Sequence, residues 1–164
     1  MAWIVLVPFA AQAGGMLVDE FYFHHRRMVP RWERIGHPLD TVATLACYAW
    51  ILAVPPEGWT IGAYIGLAAF SSAFITKDEF VHARYCGPAE FWFHAALFVL
   101  HPVVLVAAGL IWPLFHGAPA LVPLDGRLAM AAVVIQGSGA ALFLIYQSVY
   151  WNGPWRPTGN VPWT

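Results

Sequence analysis

Five apolar stretches constrain the fold of this chain more than any other feature of its sequence. A helix needs about 20 mostly apolar residues to cross the ~30 Å hydrocarbon core of a bilayer. Hydrophobic residues make up 60% of the 164 residues, and charged residues only 10%. We therefore expect an all-α integral membrane protein with about five transmembrane helices. The stretches cover roughly Trp3–Phe23, Trp32–Val54, Trp59–His82, Ala89–Trp112 and Leu124–Tyr150.

The first four stretches carry an internal repeat. A set of polar residues around the loop after the first stretch recurs around the loop after the third stretch. Two single-residue gaps align the two copies. The first copy contains Asp19, Glu20, His24, Arg26, Glu33 and His37, and the second contains Asp78, Glu79, His82, Arg84, Glu90 and His94. Each copy holds two spans, so both copies face the same way. This predicts a parallel repeat about a pseudo-twofold axis along the membrane normal.

The repeat defines the expected organisation of the chain, which is a single membrane domain over residues 1–164. Repeat 1 covers about 3–54 and repeat 2 about 59–112, and their four helices form a four-helix bundle. A fifth helix over about 124–150 lies outside the symmetry. The C-terminal tail, 151–164, is rich in Pro, Gly and Trp and should be irregular.

The distribution of arginine predicts the orientation in the membrane. The loops after the first and third stretches hold Arg26, Arg27, Arg31, Arg34 and Arg84. The positive-inside rule places these loops in the cytoplasm and the N-terminus outside, as for a protein of the bacterial inner (plasma) membrane. The net charge of -1 and the lack of a basic tract give no reason to expect a nucleic-acid partner.

The repeated acidic and histidine residues predict a metal site. Each helix end supplies one carboxylate and one imidazole three or four residues apart, which places both on one helical face. All lie at one depth, near the cytoplasmic interface, where ionisable residues within spans by default mark a functional site in the bundle interior. The predicted ligands are Glu20, His24, Glu33, His37, Glu79, His82, Glu90 and His94.

Two divalent metal ions are the expected cofactor. In arrangement only, the ligand set resembles the ferritin-like di-iron plan, in which inward Glu and His residues of a four-helix bundle bind two ions. Carboxylate and imidazole ligands suit iron, our first choice, and also manganese or zinc. Asp19, Asp78, His25 and Cys86 are further ligand candidates between which the sequence does not decide.

Three residues are candidates for a catalytic or supporting role. His101 lies seven residues after His94 and is either a further ligand or a base in a substrate pocket, unless it serves only the backbone freed by Pro102. Asp40 is placed to orient the His37 imidazole. Tyr146, in the fifth helix, is a candidate for redox chemistry or simply an interfacial aromatic residue.

The favoured function is a membrane-embedded dinuclear, di-iron oxidoreductase of the hydroxylase, desaturase or oxidase type. Its substrate would be a lipid-like hydrophobic molecule that enters from the membrane lipid. The sequence lacks a Gly-rich nucleotide-binding motif, so electrons would come from a donor protein, a quinol or the substrate itself.

Other functions use the same residues. A b-type haem cytochrome would take its axial ligands from the histidines, and a zinc-dependent lipid hydrolase would use the same ligand set with another metal. A metal transporter would bind ions transiently, but the outer half of the bundle is almost wholly apolar. A structural or assembly subunit would retain the repeat without chemistry.

Overall fold

The chain folds into five long helices. The computed structural model describes residues 2–27, 29–119 and 122–154, and within these the chain is helical and has no strand. The helices are α1 (Trp3–His24), α2 (Arg31–Ala53), α3 (Trp59–Tyr85), α4 (Pro88–Phe115) and α5 (Gly126–Asn152). The all-α class and the five helices are thus confirmed. Residues 155–164 of the predicted tail lie outside the described residues.

Four of these helices, α1, α3, α4 and α5, are long and apolar enough to cross a membrane. The sequence predicted a span for α2 as well. That helix has 23 residues, which is sufficient length, but it carries two arginines, Glu33 and Asp40 in its first half. Glu33 is fully buried, so this carboxylate faces the bundle and not its surroundings.

Among α1–α4, the most extensive contacts join the first pair of helices to the second. α1 packs on α4, and α2 packs on α3. α4 also contacts α2 and α3 and is the central helix of the bundle. α5 packs chiefly on α2, makes further contact with α4, and touches α1. It therefore contacts helices of both predicted repeats.

An apolar core fills the end of the bundle that lies opposite the acidic and histidine residues. Its fully buried members include Ile51, Val104 and Ile111. Two carbonyls at the C-terminal end of α2 have side-chain partners there: Trp112 Nε1 donates to Val54 O at 2.7 Å, and His116 Nε2 lies 2.9 Å from Ile51 O. Such bonds matter in a bilayer, which offers backbone groups no water.

Packing at this end can be tested with two isoleucines. Ile111 is 0% exposed, whereas Ile145 is 60% exposed on α5. We expect Ile111→Ala to cost about 2–5 kcal/mol, because it leaves a cavity in a packed core. Thermal unfolding of detergent-purified protein should show a clearly lower Tm for Ile111→Ala and little change for the control Ile145→Ala. Equal Tm values for the two variants would contradict this assignment of the core.

Candidate metal centre

A π-helical turn brings Asp19 and His24 together at the end of α1. The turn covers Asp19–His24. His24 follows Asp19 by five positions, whereas His82 follows Asp78 in α3 by four positions. A π turn bonds residues five apart and so holds them on one face. His24 Nε2 consequently lies 3.5 Å from Asp19 Oδ2. The extra residue between Asp19 and His24, which is the first gap in the repeat alignment, therefore lies within this π turn.

The corresponding part of α3 is wound more tightly, with a 3-10 turn over Ile75–Asp78. Asp78 is 1% exposed and points inward, whereas Glu79 is exposed. Neighbouring residues of a helix project about 100° apart, and here the winding that turns Asp78 inward leaves Glu79 at the surface. The structure does not bring the predicted ligand Glu79 into the centre, and Asp78 occupies that place.

Glu20 is buried but faces α5. Its Oε1 accepts hydrogen bonds from Trp151 Nε1 at 2.6 Å and from the Tyr146 hydroxyl at 3.1 Å, and its Oε2 lies 3.4 Å from His24 Nδ1. Tyr146 also lies 2.6 Å from His25 Nε2. Glu20 thus joins the histidines to α5, and the predicted candidates Tyr146 and His25 both belong to this contact.

The carboxylates of Glu33 and Glu90 have equivalent positions. Each is the third residue of its helix, since α2 begins at Arg31 and α4 begins at Pro88. The second alignment gap therefore lies in the loop ahead of α2. Glu33 is 0% and Glu90 6% exposed, and the first turn of a helix favours a negative charge.

Two groups of four residues form the centre. The α1–α4 quartet consists of Asp19, His24, Glu90 and His94, which each offer a ligand atom, all within 4.8 Å of one another. The shortest contact joins His94 Nε2 to Asp19 Oδ1 at 2.6 Å.

The α2–α3 quartet consists of Glu33, His37, Asp78 and His82. His37 Nε2 lies 3.8 Å from Asp78 Oδ2, and His82 Nε2 lies 3.8 Å from Glu33 Oε1. Each quartet therefore combines two carboxylates with two imidazoles from two helices.

Histidine rings join the two quartets. The ring centroids of His24 and His37 are 4.9 Å apart, and those of His82 and His94 are 4.0 Å apart. His24, Glu33 and His37 likewise offer ligand atoms within 4.8 Å of one another. The eight residues therefore form one continuous cluster rather than two separate sites.

Three further side chains border this cluster. Cys86 Sγ lies 3.8 Å from His94 Nδ1, and with His82 these residues form a third group within 4.8 Å. Lys77 Nζ lies 2.6 Å and 2.7 Å from the oxygens of Asp40 and 3.0 Å from Asp78 Oδ2. Asp40 was predicted to orient His37, but its short contacts are with Lys77. Lys77 was not among the residues that the sequence indicated for the site.

A cavity of about 340 Å³ extends from the cluster into the bundle. Its walls are mostly apolar and include Met16, Leu97 and Phe98. The candidate His101 lines this cavity, as do Gln136 and Gln147 of α5. His101 lies between two side chains, 3.0 Å from Gln12 Nε2 and 3.0 Å from Ser71 Oγ.

The comparisons with known proteins found no match for this chain, whether among family models, curated proteins or solved structures.

The contact between Glu20 and α5 should contribute measurably to stability. Replacement Trp151→Phe removes a hydrogen bond to a buried carboxylate, at a cost of about 2 kcal/mol. We expect a lower Tm in detergent than for Trp92→Phe, a control at a side chain that is 76% exposed. An equal Tm for the two variants would show that this bond does not anchor α5.

Gly36 lets the side chains of Asp78 and Lys77 approach α2 closely. A Cβ there would lie 3.0 Å from both Asp78 Oδ1 and Lys77 Cε, whereas a Cβ at Gly62 would meet nothing within 4 Å. Gly36→Ala should therefore lower the Tm. Gly62→Ala should raise stability by up to about 1 kcal/mol, because alanine favours a helix. A stabilising effect of Gly36→Ala would contradict the close approach of Asp78 to α2.

Proposed function

We propose that the protein is a membrane-embedded oxidoreductase with two divalent metal ions, iron in the first place. The observation that carries the proposal is the cluster of four carboxylates and four imidazoles from four helices, six of them buried, at one end of an apolar cavity. The ligands are assigned to the two quartets, so Asp19 and Asp78 replace the Glu20 and Glu79 favoured by sequence spacing.

The charges of the cluster support two divalent ions. Buried carboxylates are stable only when they are paired with positive charge or coordinate a metal. The two quartets hold four carboxylates, whose formal charge equals that of two divalent cations. Lys77 is a cation beside Asp78, but it also pairs with Asp40, so it does not neutralise the whole cluster.

The mixed ligand set favours iron or manganese. Carboxylate and imidazole ligands suit both metals, and neutral imidazole also suits zinc. A bound pair of iron ions would supply the capacity to activate O₂. The protein itself would hold the ions through the quartets, exclude water from the cavity, and position an apolar substrate along the walls formed by Met16, Leu97 and Phe98.

The cavity indicates the class of substrate. Its volume of about 340 Å³ falls within the range of ligand pockets, about 300–1,000 Å³. Mostly apolar walls favour a lipid-like molecule that enters laterally from the membrane. Electrons would come from a donor protein or a quinol.

The membrane topology belongs to the same proposal. We place five spans in the bacterial inner membrane, with the metal centre toward the cytoplasm, as the arginine distribution indicates. The packing supports the parallel repeat. The repeat relates α1 to α3 and α2 to α4, so it relates the α1–α4 contact to the α2–α3 contact, and both contacts are present. The same repeat relates the two quartets.

A zinc-dependent lipid hydrolase is the second candidate. The observation that favours it is the group of His82, Cys86 and His94, because cysteine sulfur and histidine nitrogen are both common zinc ligands. Haem is disfavoured, since imidazole centroids 4.0 Å apart leave no space for a porphyrin between them. Transport is disfavoured by the packed apolar core at the other end of the bundle.

Metal analysis of detergent-purified protein tests the proposal. We expect about two iron or manganese ions per chain, and loss of about one of them in each of the variants Asp19→Asn and Asp78→Asn. Glu79→Gln is the matched control and should retain both, because its side chain is exposed. Mass spectrometry of the metals, with an optical spectrum of the same sample, provides the measurement.

Four results would contradict parts of this proposal. A chain that holds no metal after loading with Fe(II), Mn(II) or Zn(II) would overturn the metal centre. A Soret band would replace it with haem, and exclusive zinc binding would favour hydrolysis. Equal metal loss in Glu79→Gln and Asp78→Asn would refute the assignment of Asp78 as the ligand.

A further inference from the structure

A second layer of polar residues lies in the bundle, two helical turns away from the metal centre. Each of the helices α1 to α4 contributes one member. That member lies seven residues along its helix from Asp19, His37, Asp78 or His94. Seven residues correspond to two turns and about 10 Å along a helix, on the same face. The members of this outer polar layer are Gln12, Thr44, Ser71 and His101.

His101 is held in a fixed position in this layer. Its Nδ1 lies 3.0 Å from Gln12 Nε2, and its Nε2 lies 3.0 Å from Ser71 Oγ. Gln12 is 7%, Ser71 0% and His101 5% exposed. Both ring nitrogens are thus engaged by side chains of neighbouring helices, deep inside an apolar bundle.

Gln12 retains an unused hydrogen-bonding atom. Its Oε1 is buried and has no hydrogen-bond partner among the residues that the structure describes. Gln12 also lines the cavity. An unsatisfied buried polar group costs about 1–3 kcal/mol, and few remain in native proteins. A ligand with a polar group at this position would remove that cost.

We propose that the cavity binds an apolar molecule with a hydroxyl group, and that the hydroxyl bonds the side-chain amide of Gln12. A hydroxyl fits either orientation of the amide, because it donates to the amide oxygen and accepts from the amide nitrogen. The hydrocarbon part then occupies the space between the two polar layers. Its carbon atoms nearest the metal centre lie about 10 Å from the hydroxyl, two helical turns away.

This inference rests on the proposed function only in treating the cavity as the substrate site, and it names the class of substrate: a long-chain alcohol. The test measures binding and requires neither turnover nor metal. Its failure is therefore distinguishable from failure of the metal assignment, which is measured on the same samples by metal analysis.

The experiment measures retention of tritiated decan-1-ol on immobilised, detergent-purified full-length protein. The competitors are unlabelled decan-1-ol and undecane, which have the same number of non-hydrogen atoms. We expect saturable binding and about tenfold better competition by decan-1-ol, the equivalent of one hydrogen bond. The proposal would be overturned if the unmodified protein retained no decan-1-ol saturably. It would also be overturned if decan-1-ol and undecane competed equally well.

Two matched variants locate the hydroxyl. Gln12→Leu should abolish the preference for decan-1-ol over undecane, while metal content stays unchanged. Gln136→Leu makes the same chemical change in the same cavity, on α5, and should preserve the preference. A preference that persists in Gln12→Leu, or that is lost equally in both variants, would refute the assignment to Gln12.

Discussion

Ionisable side chains inside an apolar helical bundle must satisfy one another, and the rest of this structure depends on that requirement. Lipid and apolar side chains offer no hydrogen bonds, so each buried carboxylate needs an internal partner. Asp19 is paired with His94, Asp78 with Lys77 and Glu20 with Trp151. These pairs join different helices, apart from that of Asp78 with its neighbour Lys77. The polar end of the bundle is consequently fixed by specific bonds, whereas the opposite end is held by close packing.

Departures from α-helical geometry occur where these residues meet. α1 widens into a π turn over Asp19–His24, and α3 tightens into a 3-10 turn over Ile75–Asp78. Both changes alter which side chains face inward without breaking the helix. π turns of this kind are frequent at functional sites. Here they compensate for the one-residue difference between the Asp19–His24 and Asp78–His82 spacings, so Asp19 and Asp78 both lie near a histidine.

α5 completes the environment of the cavity. The sequence predicted this helix as an addition outside the symmetry, yet it packs on α2 and α4 and provides Gln136 and Gln147 to the cavity. Tyr146 and Trp151 bind Glu20, which also contacts His24. A direct chain of contacts therefore leads from α5 to the histidines.

The sequence by itself determined the five helices, because it contains five long apolar stretches. The spacing of Glu33, His37, Glu90 and His94 assigned them to shared helix faces. Only the tertiary structure decided between Asp78 and Glu79, because adjacent residues differ by about 100° and a local change in winding selects which one faces inward. It also decided the partners of Glu20 and Asp40. Spacing along one helix carries no information about which neighbouring helix, α5 or α3, will supply the hydrogen bond.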